Sequence, residues 1–295
     1  MNAAATPSPR RRLHPSGLVG AALLTLLGVA SLSAPWLAPR APDAVDLRRR
    51  LQPPSWSEPL GTDELGRSTL ARVLHGGRIS LLAGALAILG ATVAGGAIGA
   101  VAGTAPGRVD GLLMRGVDAL LVCPPLLLAR AIVGALGPDL RNAALALAIV
   151  ETPVFARLTR SIVVVARELP YVEAAVAGGA RPWRVLVRHV LPVAVAPLTV
   201  QFTLGTGFAI VAFSGLSFLG LGTPPPTADW GEMLARSRHY LLDAPWLLAA
   251  PGLAVTASVL GCNLLGDALR DALGVIGRPG RIGRRGERRV SARRI

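Results

Sequence analysis

Two ionisable residues stand deep inside largely apolar stretches: Arg130 within 117–136 and Glu151 within 141–157. A charge at such a position costs about 2.5–3.5 kcal/mol on membrane-insertion scales, which makes function the first reading of it. As functional groups, Arg130 and Glu151 are candidates for lining a translocation path and meeting a charged group on a solute. As structural groups, Glu151 would snorkel near an interface and Arg130 would face a partner helix. A turn at Pro138 and Asp139 would make their two segments a helical hairpin. At 1.5 Å of rise per residue their depths then differ by about 7–8 Å, and side chains this long could form an ion pair.

The remaining reactive residues point away from catalysis. His14, His75, His189 and His239 are scattered, and no His/Cys/Asp cluster has metal-ligand spacing. Cys123 and Cys262 lie far apart in apolar surroundings and read as two small buried side chains rather than a disulfide. All 31 basic residues are Arg, so the chain has no Lys. A phosphate-binding P-loop needs a Lys to reach the nucleotide phosphates. Any ATP hydrolysis, with its Mg, must therefore come from another chain, and no cofactor is expected in this one. The HGGR stretch at 75–78 faintly resembles the oxyanion segment of esterases, but no G-x-S-x-G nucleophile elbow accompanies it.

The elements that must position these groups are membrane helices. Hydrophobic residues make up 52% of the chain and charged ones 16%, against about 25% charged in soluble domains. Lipid gives backbone groups no partners, so each crossing must be a long apolar helix. Six segments qualify: 17–37, 80–102, 117–136, 141–157, 193–216 and 245–266. The third and fourth each carry a charge. The first follows Arg10, Arg11 and Arg12 but is too long for a signal core of about 7–15 residues, so it reads as an uncleaved helix. Six crossings put both termini on one side. With that side cytoplasmic, inner segments hold 20 Arg and outer ones 10, in line with the positive-inside rule. Arg48, Arg49 and Arg50 in the long first outer loop run against the bias. In the second segment Gly95, Gly99 and Gly103 share one helix face, suited to close packing either within the chain or on a partner chain. Beyond 274 the tail is rich in Arg and Gly without apolar period and reads as disordered, touching anionic lipid or nothing rather than nucleic acid. The organisation is thus a basic tail at 1–16, a first helix and outer loop at 17–79, a five-helix body at 80–273 and a second basic tail at 274–295.

One connecting stretch stands apart, YVEAAVAGGARPWRVLVRHVLP at 171–192. Gly178 and Gly179 separate two short helices, and Pro182 sits where a first helical turn accepts proline. Tyr171, Ala174, Ala175 and Gly178 fall on one face by helical spacing. A helix with a small-residue face that cannot enter lipid suits docking into a groove of another protein.

This stretch resembles the EAA loop of ABC importer permeases, with Glu173, Ala174, Ala175, Gly179, Leu191 and Pro192 at the motif positions. LGTDELGRSTLARVLHGGRISLLAG at 60–84, LSFLGLGTPPPTADWGEMLARSRHYL at 216–241 and the segment 245–273 are similar to the dipeptide/oligopeptide/nickel permease family, second-subunit type. The resemblance covers about 16–274. It implies an all-α polytopic protein with six transmembrane helices, a type I-like ABC importer transmembrane domain, in the bacterial cytoplasmic membrane. It implies a homologous permease subunit as partner, two ATP-binding subunits below and an extracytoplasmic solute-binding protein above, with peptides or nickel as solute. Glu173 would pair with a basic ATPase residue or cap its helix, Ala174 and Ala175 would permit close approach, and Gly179 would allow the bend. A stand-alone secondary transporter or channel would need no such docking loop, an exporter does not usually carry one, and a membrane enzyme would need a catalytic constellation.

Overall fold

A single segment that must satisfy its own backbone inside lipid is helical, and every long element among the described residues follows that rule. The computed structural model describes residues 15–38, 40–105 and 107–274. Arg10, Arg11 and Arg12, His14 and the Arg-rich tail from 275 onward lie outside the described residues. The first pass is α1 (Pro15–Leu32), followed by a short α2 (Ala34–Leu37). After the outer loop come α3 (Thr69–Thr104), α4 (Arg108–Val122), α5 (Pro125–Leu136) and α6 (Leu140–Arg167). The connecting stretch forms α7 (Pro170–Ala177) and α8 (Pro182–Val185), and α9 (Leu191–Phe218) climbs back. A short α10 (Trp230–Ser237) precedes the last pass, α11 (Trp246–Leu273).

Three expectations change. The second segment begins at Thr69 rather than 80, so Arg72, His75 and Arg78 lie in the first turns of a 36-residue helix. Hydroxyl capping permits the early start, since Ser68 Oγ accepts from Ala71 N at 3.4 Å. The third expected span is not one helix. It is α4 and α5, bent by 92° at Cys123 and Pro124. Consecutive prolines explain the break: each lacks an N–H, and each pushes the preceding residue out of helical geometry. Cys123 is exposed at this corner, against the expectation of two buried thiols, while Cys262 is buried.

By length and composition, four helical segments among the described residues can cross a membrane, and five if the bent pair counts as one span. The fourth expected span, within α6, is long enough at 28 residues but carries Arg141, Glu151, Arg157, Arg160 and Arg167. Its packing gives it a place in the bundle all the same. Gly95, Gly99 and Gly103 of α3 lie against Phe155, Thr159 and Val163 of α6, and a Cβ on any of the three would collide with it. The glycine stripe is therefore spent inside the chain, not on a partner. The same contacts show that α3 and α6 run parallel. The chain must then return between them, from the level of Val163 to that of Leu140, about 35 Å at helical rise. The pair α4 and α5 makes that return, so it acts as a broken crossing.

The other pairs are antiparallel. Gly84 of α3 meets Ile210 of α9, and Gly205 of α9 meets Ile88 of α3. Gly207 of α9 faces Cys262 of α11, and Gly20 of α1 faces Gly261 and Leu265 of α11. Pro15 and Leu273 consequently end at one face of the bundle, together with α7 and α8. The core between α3, α5, α6 and α9 is built on small and aromatic residues, among them Ala87, Ile88, Val133, Phe155 and Phe213. Leu18, Leu26, Leu89, Val93 and Leu253 face outward, as lipid contact requires.

Candidate coupling segment and outer cap

The connecting stretch is held away from the bundle by local chain chemistry. α7 starts at Pro170, whose missing N–H costs nothing at a first helical position. It ends in a Schellman motif: Ala180 N donates to Ala175 O at 3.1 Å, and Gly179 N donates to Val176 O at 3.0 Å. Gly179 closes it at φ 80°, a left-handed conformation that favours glycine. No heavy atom lies within 4 Å of where its Cβ would stand, so the constraint is conformational and not one of space. From Pro182 the helix runs on into α9 through a π-helical stretch, 186–190, in which Leu191 N bonds Leu186 O. Pro192 follows directly, with no N–H to donate and a ring that crowds the preceding turn, and the wider π turn accommodates it.

One face of α7 is anchored and the other is free. Val172 is 1% exposed and packs with Val163, Ala166, Val185 and Val190. Tyr171 Oη donates to His189 O at 3.2 Å, and Arg167 donates to Gly103 O at 2.8 Å, tying the stretch to the end of α3. Glu173 and Ala174 are exposed, as are Gly179 and Pro192, while Ala175 and Leu191 are half-buried. Tyr171, Val176 and Trp183 add exposed apolar surface. A cavity of about 640 Å³ opens beside this joint, lined by Val172, Val176, Val185 and Leu186 with Glu173 and Arg167 at its edge. The six motif residues thus belong to one exposed elbow at the end where both described termini lie.

Arg130 and Glu151 are not brought together. Arg130 is exposed on α5, and Glu151 is 8% exposed on α6. Among the described residues neither side chain has an ion pair or hydrogen bond. The expected pair fails because α5 packs on α6 through Ala129 and Val133, which leaves Arg130 on the exposed face of its helix. Arg160 of α6 instead holds Asp110 of α4 through two hydrogen bonds, at 2.5 and 2.6 Å.

Reading the sequence did not disclose the cap at the opposite end. There, residues 60–72 and 229–236 meet across the bundle. Arg72, 2% exposed, donates to Glu232 at 2.8 Å and lies 3.6 Å from Asp63. Asp63 also receives Arg67 at 2.6 Å. Arg236 closes on Glu232 and reaches Glu64 at 3.2 Å. Burial works against the charge of Arg236, but Glu232 and then Glu64 outweigh it and hold the group above the ordinary arginine value. Asp229 caps α10, accepting from Glu232 N at 2.9 Å, and Trp230 donates its indole N–H to Val73 O at 2.9 Å. The available signal was that two stretches far apart in the chain, 60–84 and 216–241, each carry acidic and basic residues a few positions apart beside a long apolar run.

Known proteins agree with this architecture. The family described as "Binding-protein-dependent transport system inner membrane component" matches residues 95–274, and "N-terminal TM domain of oligopeptide transport permease C" matches residues 10–54. A di/tripeptide transport system permease protein, DppC, of Pseudomonas aeruginosa is 45% identical over 279 residues, covering 90% of this chain and 92% of its own. A probable D,D-dipeptide transport system permease protein, DdpC, of Escherichia coli is 42% identical over 259 residues, 88% and 87% of the two chains. A dipeptide transport system permease protein of Alkalihalophilus pseudofirmus is 42% identical over 256 residues, 87% and 84%. The match spans more than half of the chain and takes in the elbow, α9 and α11 together, so the chain belongs to the family of binding-protein-dependent transport system inner membrane components.

Proposed function

We propose that this chain is the permease subunit of an ATP-driven importer of di- and oligopeptides in the bacterial cytoplasmic membrane. It forms the path with a homologous permease, takes solute from an extracytoplasmic binding protein and rests on two ATP-binding subunits. The permease is not itself an ATPase. The observation that carries the reading is the elbow. A short helix with an exposed small-residue face, Ala174 with Glu173, is held out on a glycine joint and tied to the ends of α3 and α6. Ala174 and Ala175 would let an ATPase groove approach closely, Glu173 would meet a basic residue there, and Leu191 with Pro192 would pass the movement into α9. The arginine bias places this end in the cytoplasm. The peptide assignment follows the relatives, all three of which are named for peptide transport.

Glu151, buried midway along α6 without a side-chain partner among the described residues, is the stronger of the two candidates for the solute path, and Arg130 the weaker. Normal uptake by Glu151→Ala and Arg130→Ala variants at normal expression would remove both from the path.

The test is reconstitution in liposomes with the partner permease, ATPases and binding protein. ATP-dependent uptake of a labelled dipeptide pool is measured beside a nickel control, for the wild type and for Ala174→Arg. Ala174 is exposed, so the larger side chain leaves the fold intact and blocks only the docking face. Peptide uptake that the variant abolishes is the expected result. Nickel uptake without peptide uptake would change the solute, and uptake without any ATPase would refute the importer reading.

A further inference from the structure

The outer cap contains a cavity of about 420 Å³ at the head of α9, bordered by Pro138, Phe218, Thr223, Arg236, Arg238 and His239. That volume is in the range of small-molecule sites. Its charges do not balance locally. Both oxygens of Glu232 are taken, one by Arg72 and the other by Arg236. The carboxylate of Asp229 is occupied by the hydroxyls of Ser217 at 2.6 Å and Thr223 at 2.5 Å. No carboxylate is left for Arg238, and among the described residues it has no ion pair.

Arg238 is nonetheless held in place. Its guanidinium lies 5.9 Å over the ring of Phe218, and its Nε donates to His239 Nε2 at 3.1 Å. Those two contacts favour one orientation of this exposed guanidinium at the rim of the cavity and leave both terminal nitrogens without a protein partner among the described residues. A planar guanidinium in that state presents two parallel N–H donors, the geometry that a carboxylate matches and a single ammonium does not. Phe218 ends the helix whose other end, at Leu191, meets the elbow. A solute seated here would therefore touch the outer end of the same helix that leads to the coupling segment.

We propose that the cavity at the head of α9 receives the terminal carboxylate of the incoming solute, with Arg238 as the bidentate donor and His239 and Phe218 as the groups that orient it. The proposal rests on the peptide-import reading and adds a specificity-determining contact to it.

The assembled transporter in liposomes tests it. One labelled dipeptide is supplied as the free acid and as its C-terminal amide, each at a concentration that saturates the binding protein. The wild type is expected to carry the acid about tenfold faster than the amide, the scale of a charge-assisted hydrogen-bonded pair. Arg238→Gln should bring the acid down to the amide's rate, leaving unchanged both the amide's rate and the half-saturating concentration of binding protein. Arg238→Lys, which keeps the charge and loses the fork, should fall between. The acid-specific loss separates contact with solute from a general defect. Equal slowing of both solutes by Arg238→Gln would overturn the proposal, as would no change in either. A raised half-saturating concentration of binding protein at an unchanged maximal rate would also overturn it, marking Arg238 as a contact for that protein. A wild type that moves both forms at one rate overturns this site alone. A wild type that moves neither overturns the peptide-import reading, and this proposal with it.

Discussion

The two ends of the bundle are built by opposite means. At the outer end, segments far apart in the chain are locked by Arg72 to Glu232 and Trp230 to Val73, and the shorter-range contacts of Arg72 with Asp63 and Ser217 with Asp229 reinforce them. At the inner end, α7 is held by one buried valine, a few hydrogen bonds and a glycine in the left-handed region. A buried charge that loses its partner is expensive, so the outer cap resists partial opening and behaves as a unit. A short helix with one apolar anchor can tilt at modest cost. The difference suits a transporter that receives solute on a firm rim and is driven from a movable elbow.

The largest effect is expected between the two ends, in the contact that joins them. Gly99→Val would force a branched side chain into the backbone of α6 near Ala156 and Thr159. Membrane fractions should then contain little or no folded permease. Gly96→Val, at a neighbouring glycine with no heavy atom within 4 Å of its Cβ position, should accumulate normally. A failure of both would mean that the second face of α3 is covered in the assembly as well.

At the outer end, Arg72→Ala leaves Glu232 and Asp63 short of a buried partner. A cost of about 3–5 kcal/mol is expected, read as a marked fall in the unfolding midpoint of the detergent-solubilised complex. A midpoint like that of the wild type would show the cap to be looser than its burial implies and would erase the contrast with the elbow.

At the inner end the expected losses are smaller. Val172→Ala removes two methyl groups from a site that is 1% exposed, worth about 2 kcal/mol at the usual value per buried carbon. Transport per ATP hydrolysed should fall more than the midpoint does, because the anchor of the elbow is loosened while the bundle stays intact. The smallest effect is assigned to Gly179→Ala. Its Cβ meets no heavy atom, so only the left-handed conformation opposes it, at about 1–2 kcal/mol. Gly179→Asn, which tolerates that conformation, should lie nearer the wild type. If Ala and Asn behave alike, the joint does not depend on φ at 179.

Much of this was legible in the residues. Long charge-free runs can satisfy their backbone in lipid only as helices, so α1, α3, α9 and α11 follow from composition. The elbow was legible because Gly178, Gly179 and Pro182 act locally, through conformations that need no distant partner. The break within the third span was hidden: Pro124 and Pro125 were present to be read, but apolarity on both sides masked the corner. The pairing of Arg130 with Glu151 was inferred from depth along two helices. It failed because depth says nothing of which face of a helix a residue occupies: Ala129 and Val133 take the buried face of α5 and leave Arg130 outside.

By itself the sequence determined the solvent of each segment, the helical class and the glycine joint at the inner end, since hydropathy and backbone sterics are properties of neighbouring residues. It did not determine which charges would be buried together. Arg72 and Glu232 stand 160 residues apart in the chain, and such a pair forms only when the packing of α3 against α9 brings the outer ends of those helices to one place. The same holds for the glycine stripe of α3, whose spacing announced a close contact and left its partner open. Only the parallel placement of α6, possible because α4 and α5 return the chain across the bundle, decided that the stripe is filled from within.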